Sequence, residues 1–246
     1  MPQFSDDLFL GSAVTYMGMN LGDPSPMSQG VGPLGRIYVW DVVPVAKAVD
    51  NISATATNTG ALTLAAGTGT TAVTRADGTA VIQLDCPRAV AIYIGAGTAV
   101  SKVLTVTGYD VYGQPMSEAI TTGTTEEVQV AGQKAFYQIA SATLSGDPEV
   151  DTSLGTTDIL GLPVRATNAG YVASVGWDNT LARDAGTFAA ADVTSPATAT
   201  TNDVRGTYTP SSAANGSKRL VMGILLPALA VGPNATRVGA LGVTQA

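Results

Sequence analysis

The chain has 246 residues, of which only 13% are charged, with 12 Lys and Arg against 19 Asp and Glu and a net charge of −7. It contains no histidine and a single cysteine, Cys86. These counts exclude His-dependent nucleophilic catalysis, His-ligated metal centres, a disulfide framework and a four-cysteine zinc site, and they leave no basic stripe for direct nucleic-acid binding. Charge at about half the usual level predicts that much of the surface meets other protein, because interface cores are depleted in charge.

The opening "MPQFSDDLFLGSA" carries Asp6 and Asp7 where a secretory signal has basic residues, which predicts synthesis in a cytoplasm. Residues 1 to about 35 hold Pro24, Pro26, Pro33 and many glycines without a period of 2 or 3.6. They read as an extended arm with apolar anchors at Phe4, Leu8, Phe9 and Leu10. "RIYVWDVV" (36–43) is the first strand by its β-branched and aromatic content.

From about residue 60, short strand patterns alternate with turn clusters: "TAVIQLD", "AVAIYIG", "KVLTVTGYDV", "EEVQV" and "KAFYQIASATL". Asp77-Gly78 predicts a two-residue type I′ hairpin, which needs positive φ at both positions. Gly113 predicts a second turn, with Pro115 opening the returning strand. Beyond 167, "AGTFAAADVTSPATATTND" reads as a long surface loop, followed by strands in "DVRGTYT" and "SKRLVMGILL" joined through Asn215-Gly216. "LVMGILLPALAVG" is too short to span a bilayer and reads as a strand, a corner at Pro227 and a second short strand. Short helices fit only near 5–10 or 181–191. The expected fold is all-β, an antiparallel β-sandwich or jelly-roll-like arrangement, with an N-terminal arm and first strand (1–45), a central sandwich (46–166) and a C-terminal β segment (167–246) packed on or completing it.

Candidate chemistry is sparse. "AIYIGAGTAVSK" imitates a phosphate loop at Gly95 and Gly97, but a strand pattern follows where a helix N-terminus must hold the phosphate. It reads instead as a glycine turn between antiparallel strands, and Lys102 lies in no Gly-Lys-Ser/Thr sequence. "DPEVDTSLGTTD" sets Asp147, Glu149, Asp151 and Asp158 at calcium-loop spacing, yet Thr152 replaces the required glycine, so a solvated acidic turn is expected. Glu126-Glu127 point to opposite faces if they open a strand. Tyr38, Trp40, Tyr93, Tyr109, Tyr112, Phe136, Tyr137 and Trp177 fall in or beside strand patterns, where core packing outweighs a sugar-stacking platform. The expectation is no catalytic residue, no metal and no cofactor.

Three stretches carry a resemblance: "VLTVTGYDVYGQPMSEAI" (103–120), "FYQIASATLSG" (136–146) and "NDVRGTYTPSSAANGSKRLVMGI" (202–224). Together they resemble virion structural proteins of tailed bacteriophages, most of all head decoration (cement) proteins. The resemblance implies a β fold on the capsid exterior, a symmetric homo-oligomer such as a homotrimer and the major capsid protein as partner. The scarcity of basic residues and the short apolar run separately predict no direct nucleic-acid contact and no membrane. Phe4, Leu8, Phe9 and Leu10 are then the expected contact residues. A tail or head-fibre component, or a carbohydrate-binding or adhesin module, is the alternative.

Overall fold

A computed structural model describes residues 7–10, 35–166, 168–178, 182–192 and 202–226. The N-terminal half of the described chain gives β1 (Asp7–Leu10), β2 (Gly35–Val42), β3 (Ser53–Thr57), β4 (Thr70–Thr74), β5 (Ala80–Ile94), β6 (Val103–Tyr109) and β7 (Pro115–Thr121). The remainder gives β8 (Val128–Ala131), β9 (Phe136–Leu144), β10 (Asp151–Gly161), β11 (Val172–Gly176), β12 (Thr187–Ala189), β13 (Thr207–Thr209) and β14 (Leu220–Leu226). One 3-10 turn, Ala169–Tyr171, precedes β11. The pairings are antiparallel, and the fold is nearly all-β and sandwich-like, as the sequence predicts.

A four-stranded sheet runs β1-β2-β14-β11, and a ten-stranded sheet follows the path β12-β13-β10-β5-β9-β6-β7 with β3 on β10 and β4 and β8 on β5. The large sheet turns over on itself along β5. Residues Ala80–Leu84 pair with β4, whereas Arg88–Ile94 pair with β10. The two halves enclose one core: Ile82 and Leu84 from the first, Val90, Ile92 and Ile94 from the second, joined by Leu104, Val106, Met116, Phe136, Ile139 and Leu154. The alternation expected of β6 holds, with Leu104 and Val106 buried and Thr105 more exposed. A second core lies against the four-stranded sheet, where Trp40, Met222, Ile224, Val175 and Trp177 meet Cys86 and Leu160. β5 and β10 therefore contribute to both cores.

Four expectations change. "TAVIQLD" and "AVAIYIG" are one strand rather than two, because the β5–β9 register shifts between Gln83 and Arg88 and relieves Pro87 of a ladder position. The Gly95–Gly97 loop does not join sheet neighbours, since β9 lies between β5 and β6. Residues 7–10, within the expected extended arm, pair as a strand on the edge of β2 where a short helix also fitted the sequence. The proposed loop after 185 contains β12, which pairs with β13; residues 193–201, and the second strand expected beyond Pro227, lie outside the described residues. Among the described residues no helix is long and apolar enough to cross a membrane.

The Asp77-Gly78 hairpin exists in a longer form. Residues 75–79 connect β4 to β5, with Arg75 N–H donating to Thr79 O at 2.9 Å and Gly78 N–H to Arg75 O at 2.9 Å. Gly78 has φ +86°, while Asp77 does not share a positive φ, so a type I′ turn is replaced by a loop needing one left-handed residue. Added bulk at Gly78 meets nothing within 4 Å. Gly78→Val should therefore lower stability through backbone strain alone, by about 1–2 kcal/mol in a denaturant titration. An unchanged midpoint would contradict this assignment of the turn.

Candidate functional site

The ionisable side chains with chemical potential gather inside the fold as three locks. The first closes the bend of β5. Arg88, 1% exposed, donates from Nε to Thr157 O (2.8 Å), from Nη1 to Val45 O (3.0 Å) and Asp85 Oδ1 (3.0 Å), and from Nη2 to Asp158 Oδ1 (3.3 Å). Asp85 Oδ2 in turn accepts from Val45 N–H at 2.7 Å. A guanidinium suits this place because its donors lie in a fixed planar fork and can meet several acceptors at once.

The second lock ties the β6–β7 turn to the segment before β13. Arg205 Nη1 donates to Asp110 Oδ2 at 2.8 Å and Nε to Leu162 O at 3.2 Å, with both charged partners buried. Asp110 Oδ1 also accepts the N–H groups of Tyr112 and Gln114. The Arg205 guanidinium lies over the exposed Tyr112 ring, 5.5 Å from its centroid, and the Tyr112 hydroxyl donates to Pro163 O. Asp203 accepts from Arg205 N–H and Ala135 N–H, and burial pushes its carboxyl above the usual range despite the charge of Arg205.

The third lock joins β7 to the β8–β9 turn. Glu118 Oε1 accepts from Gln133 and Lys134 N–H, while Lys134 Nζ donates to Ser117 O at 2.9 Å. Glu118 Oε2 has no hydrogen-bond partner among the described residues and lies against Gly132, where any side chain would collide with it. Burial drives the Glu118 carboxyl up to about 7, against the pull of those two backbone donors and of Lys134. Burial also lowers the Lys134 ammonium, with Glu118 opposing.

A cavity of about 620 Å³ lies apart from the locks, lined by Val172, Val175, Arg183, Asp184, Phe188 and Tyr208 among others. Its carboxylate is already engaged. Asp184 accepts from Tyr208 Oη (2.6 Å), Gly186 N–H (3.0 Å) and Ser211 N–H and Oγ–H. Burial raises its carboxyl, but these donors outweigh that effect and hold it below the usual range. Such a group is an acceptor rather than a proton donor at neutral pH.

The residues singled out in the sequence do not converge on this cavity. Phe4 lies outside the described residues, and Leu8, Phe9 and Leu10 form β1 opposite Ile37, Arg36 and Gly35. In the calcium-like stretch, Asp147 accepts from Glu149 N–H, Asp151 from Thr57, and Asp158 turns to Arg88, so its acids serve separate partners. Glu126-Glu127 precede β8 instead of opening it: Glu127 has φ +53°, and Glu126 accepts from Gly97 N–H. Among the aromatics Trp40, Phe136 and Trp177 are core residues, but Tyr112 is exposed and Tyr109 is capped by Arg75, 3.5 Å from its centroid. Asn51 is buried and bonded to Thr156, and Cys86 is buried with its thiol pushed up to about 12 by desolvation. Among the described residues no three Cys, Asp or Glu side chains gather in metal-binding geometry.

The buried charges escaped sequence reasoning, although one carried a signal. Glu118 stands in phase with Met116 and Ile120, and period-2 alternation puts all three on the buried face. No protein-family model matches the chain, and no curated protein or solved structure does either.

Glu118 gives a pH prediction. Its folded-state value is raised from about 4.5 to about 7, so the folded state binds the proton more tightly across that window. The associated stability is full below 4.5, is lost as pH rises towards 7 and is flat above, amounting to on the order of 3 kcal/mol. Denaturant titrations from pH 4.5 to 8 should show this loss in the wild type and its absence in Glu118→Gln. Parallel curves for the two proteins would refute it.

Proposed function

We propose that the chain is a non-enzymatic virion structural protein of a tailed bacteriophage, a head decoration protein that reinforces the capsid exterior by clamping neighbouring major capsid subunits. One observation supports this most: the buried acids and bases are engaged in tying strands together rather than grouped around the open cavity. Arg88, Arg205 and the Glu118–Lys134 pair each bridge separate elements, an arrangement suited to bearing load. The resemblance points the same way, its three stretches being the β6–β7 hairpin, β9 and the β13–β14 region. Low charge content suits a surface that packs against other subunits. By analogy with the resembled proteins the working unit is a homotrimer, with Phe4, Leu8, Phe9 and Leu10 as the contact segment.

A carbohydrate-binding module is the second reading, favoured by the cavity in which Phe188 and Tyr208 stand beside Asp184 and Arg183. Aromatic faces with a fixed acceptor and a cation are a fitting set for a sugar. Co-sedimentation with phage heads stripped of this protein separates the two. The decoration role predicts binding to assembled heads, none to free capsid subunits, and heads that withstand heating better once coated. Absence of head binding, together with a glycan-induced rise in melting temperature, would move the function to the cavity.

A further inference from the structure

The four-stranded sheet ends in a strand whose connection is out of proportion to its position. Among the described residues β1 lies outermost, pairing along Asp7↔Tyr38 to Leu10↔Gly35. β2 does not need it to stay in place, because its other edge is zipped to β14 over seven register pairs, from Leu220↔Val42 to Leu226↔Arg36. Antiparallel neighbours are ordinarily joined by about two to five residues. Here residues 11–34 intervene. Fully extended, that length reaches roughly 80 Å, farther than the width of a domain this size.

We propose that β1 is an exchangeable strand, which adds to the β2 edge of a second copy of this chain and so links copies by reciprocal donation. Strand addition is carried by backbone N–H and C=O groups, and these are the same on the chain's own edge and on a neighbour's. In a reciprocal exchange each copy gives one strand and receives one, so no ladder is lost. Proximity alone then decides. A tethered strand competes at an effective concentration of about millimolar, which favours its own edge in dilute solution. Copies held side by side within reach of the tether cancel that advantage. The occupant is a second copy rather than a foreign strand because the register is supplied by this chain's own Asp7–Leu10 and Gly35–Tyr38. The inference concerns the chain itself and holds independently of the virion role.

Cross-strand cysteines test it. Leu8→Cys and Ile37→Cys, made as separate variants, are mixed, refolded together over a range of concentrations and oxidised. Cys86 does not compete, being buried. The expected product is a disulfide-linked species of two chains, one of each variant, increasing with concentration. The double variant should close within one chain when dilute and between chains when concentrated. Intrachain closure at every concentration, with no linked species from the mixture, would overturn the exchange. So would failure of the double variant to close at all, or equal linkage when Arg219→Cys replaces Ile37→Cys.

Discussion

At the bend of β5 the Arg88 guanidinium holds together the loop after β2, the turn of β5 itself and β10, where the two cores meet. A fifteen-residue strand that passes from one half of a sheet to the other must break its ladder somewhere, and it does so between Gln83 and Arg88. Beside that break the β5–β10 register also shifts, between Thr156 and Leu160, and there the Thr157 carbonyl faces Arg88 together with that of Val45 from the loop after β2. Arg88 satisfies both while neutralised by Asp85 and Asp158. An unsatisfied buried acceptor costs about 1–3 kcal/mol, and a buried charge without its partner more, so the corner is stable only with all its members present. Removing any one would open the fold where its two cores meet.

The other two locks extend this logic away from the bend. Arg205 and Asp203 bring the segment before β13 against the β6–β7 turn and the start of β9, and Glu118 fixes the turn that leads into β9. Each lock joins residues far apart in sequence, Asp110 to Arg205 for example, through hydrogen bonds with strict geometry. Apolar packing alone would permit sliding between these elements; the directional bonds do not. Glu118 is the least settled member, since its raised carboxyl makes the grip of that turn depend on protonation near neutral pH.

Much of this fold was legible in local chemistry. Leu104 and Val106 alternate with threonines as a half-buried strand must, Gly113 and Gly216 take the positive φ their turns require, and Pro115 opens β7. What local chemistry could not convey was pairing between distant segments. β2 and β14 stand nearly at opposite ends of the described chain yet form a seven-pair ladder, so the first strand and the C-terminal segment share one sheet. "TAVIQLD" and "AVAIYIG" read as two strands because the tolerance of Pro87 between them depends on a register shift against a neighbour. The locks were hidden for the same reason: charged residues read as surface until their partners are known, although the phase of Glu118 with Met116 and Ile120 shows that a period can expose a buried charge.

The two cores form one cooperative unit, because β5 and β10 run through both and Arg88 fixes where they turn. The chain carries its own probe, since Trp40 and Trp177 are its only tryptophans and both belong to the second core. Urea unfolding followed in parallel by tryptophan fluorescence and by far-ultraviolet circular dichroism reports that core and the whole fold separately. Coincident transitions in the wild type, moving together to lower urea in Arg88→Met, are the predicted result. Fluorescence and dichroism midpoints that separate in the wild type would contradict it.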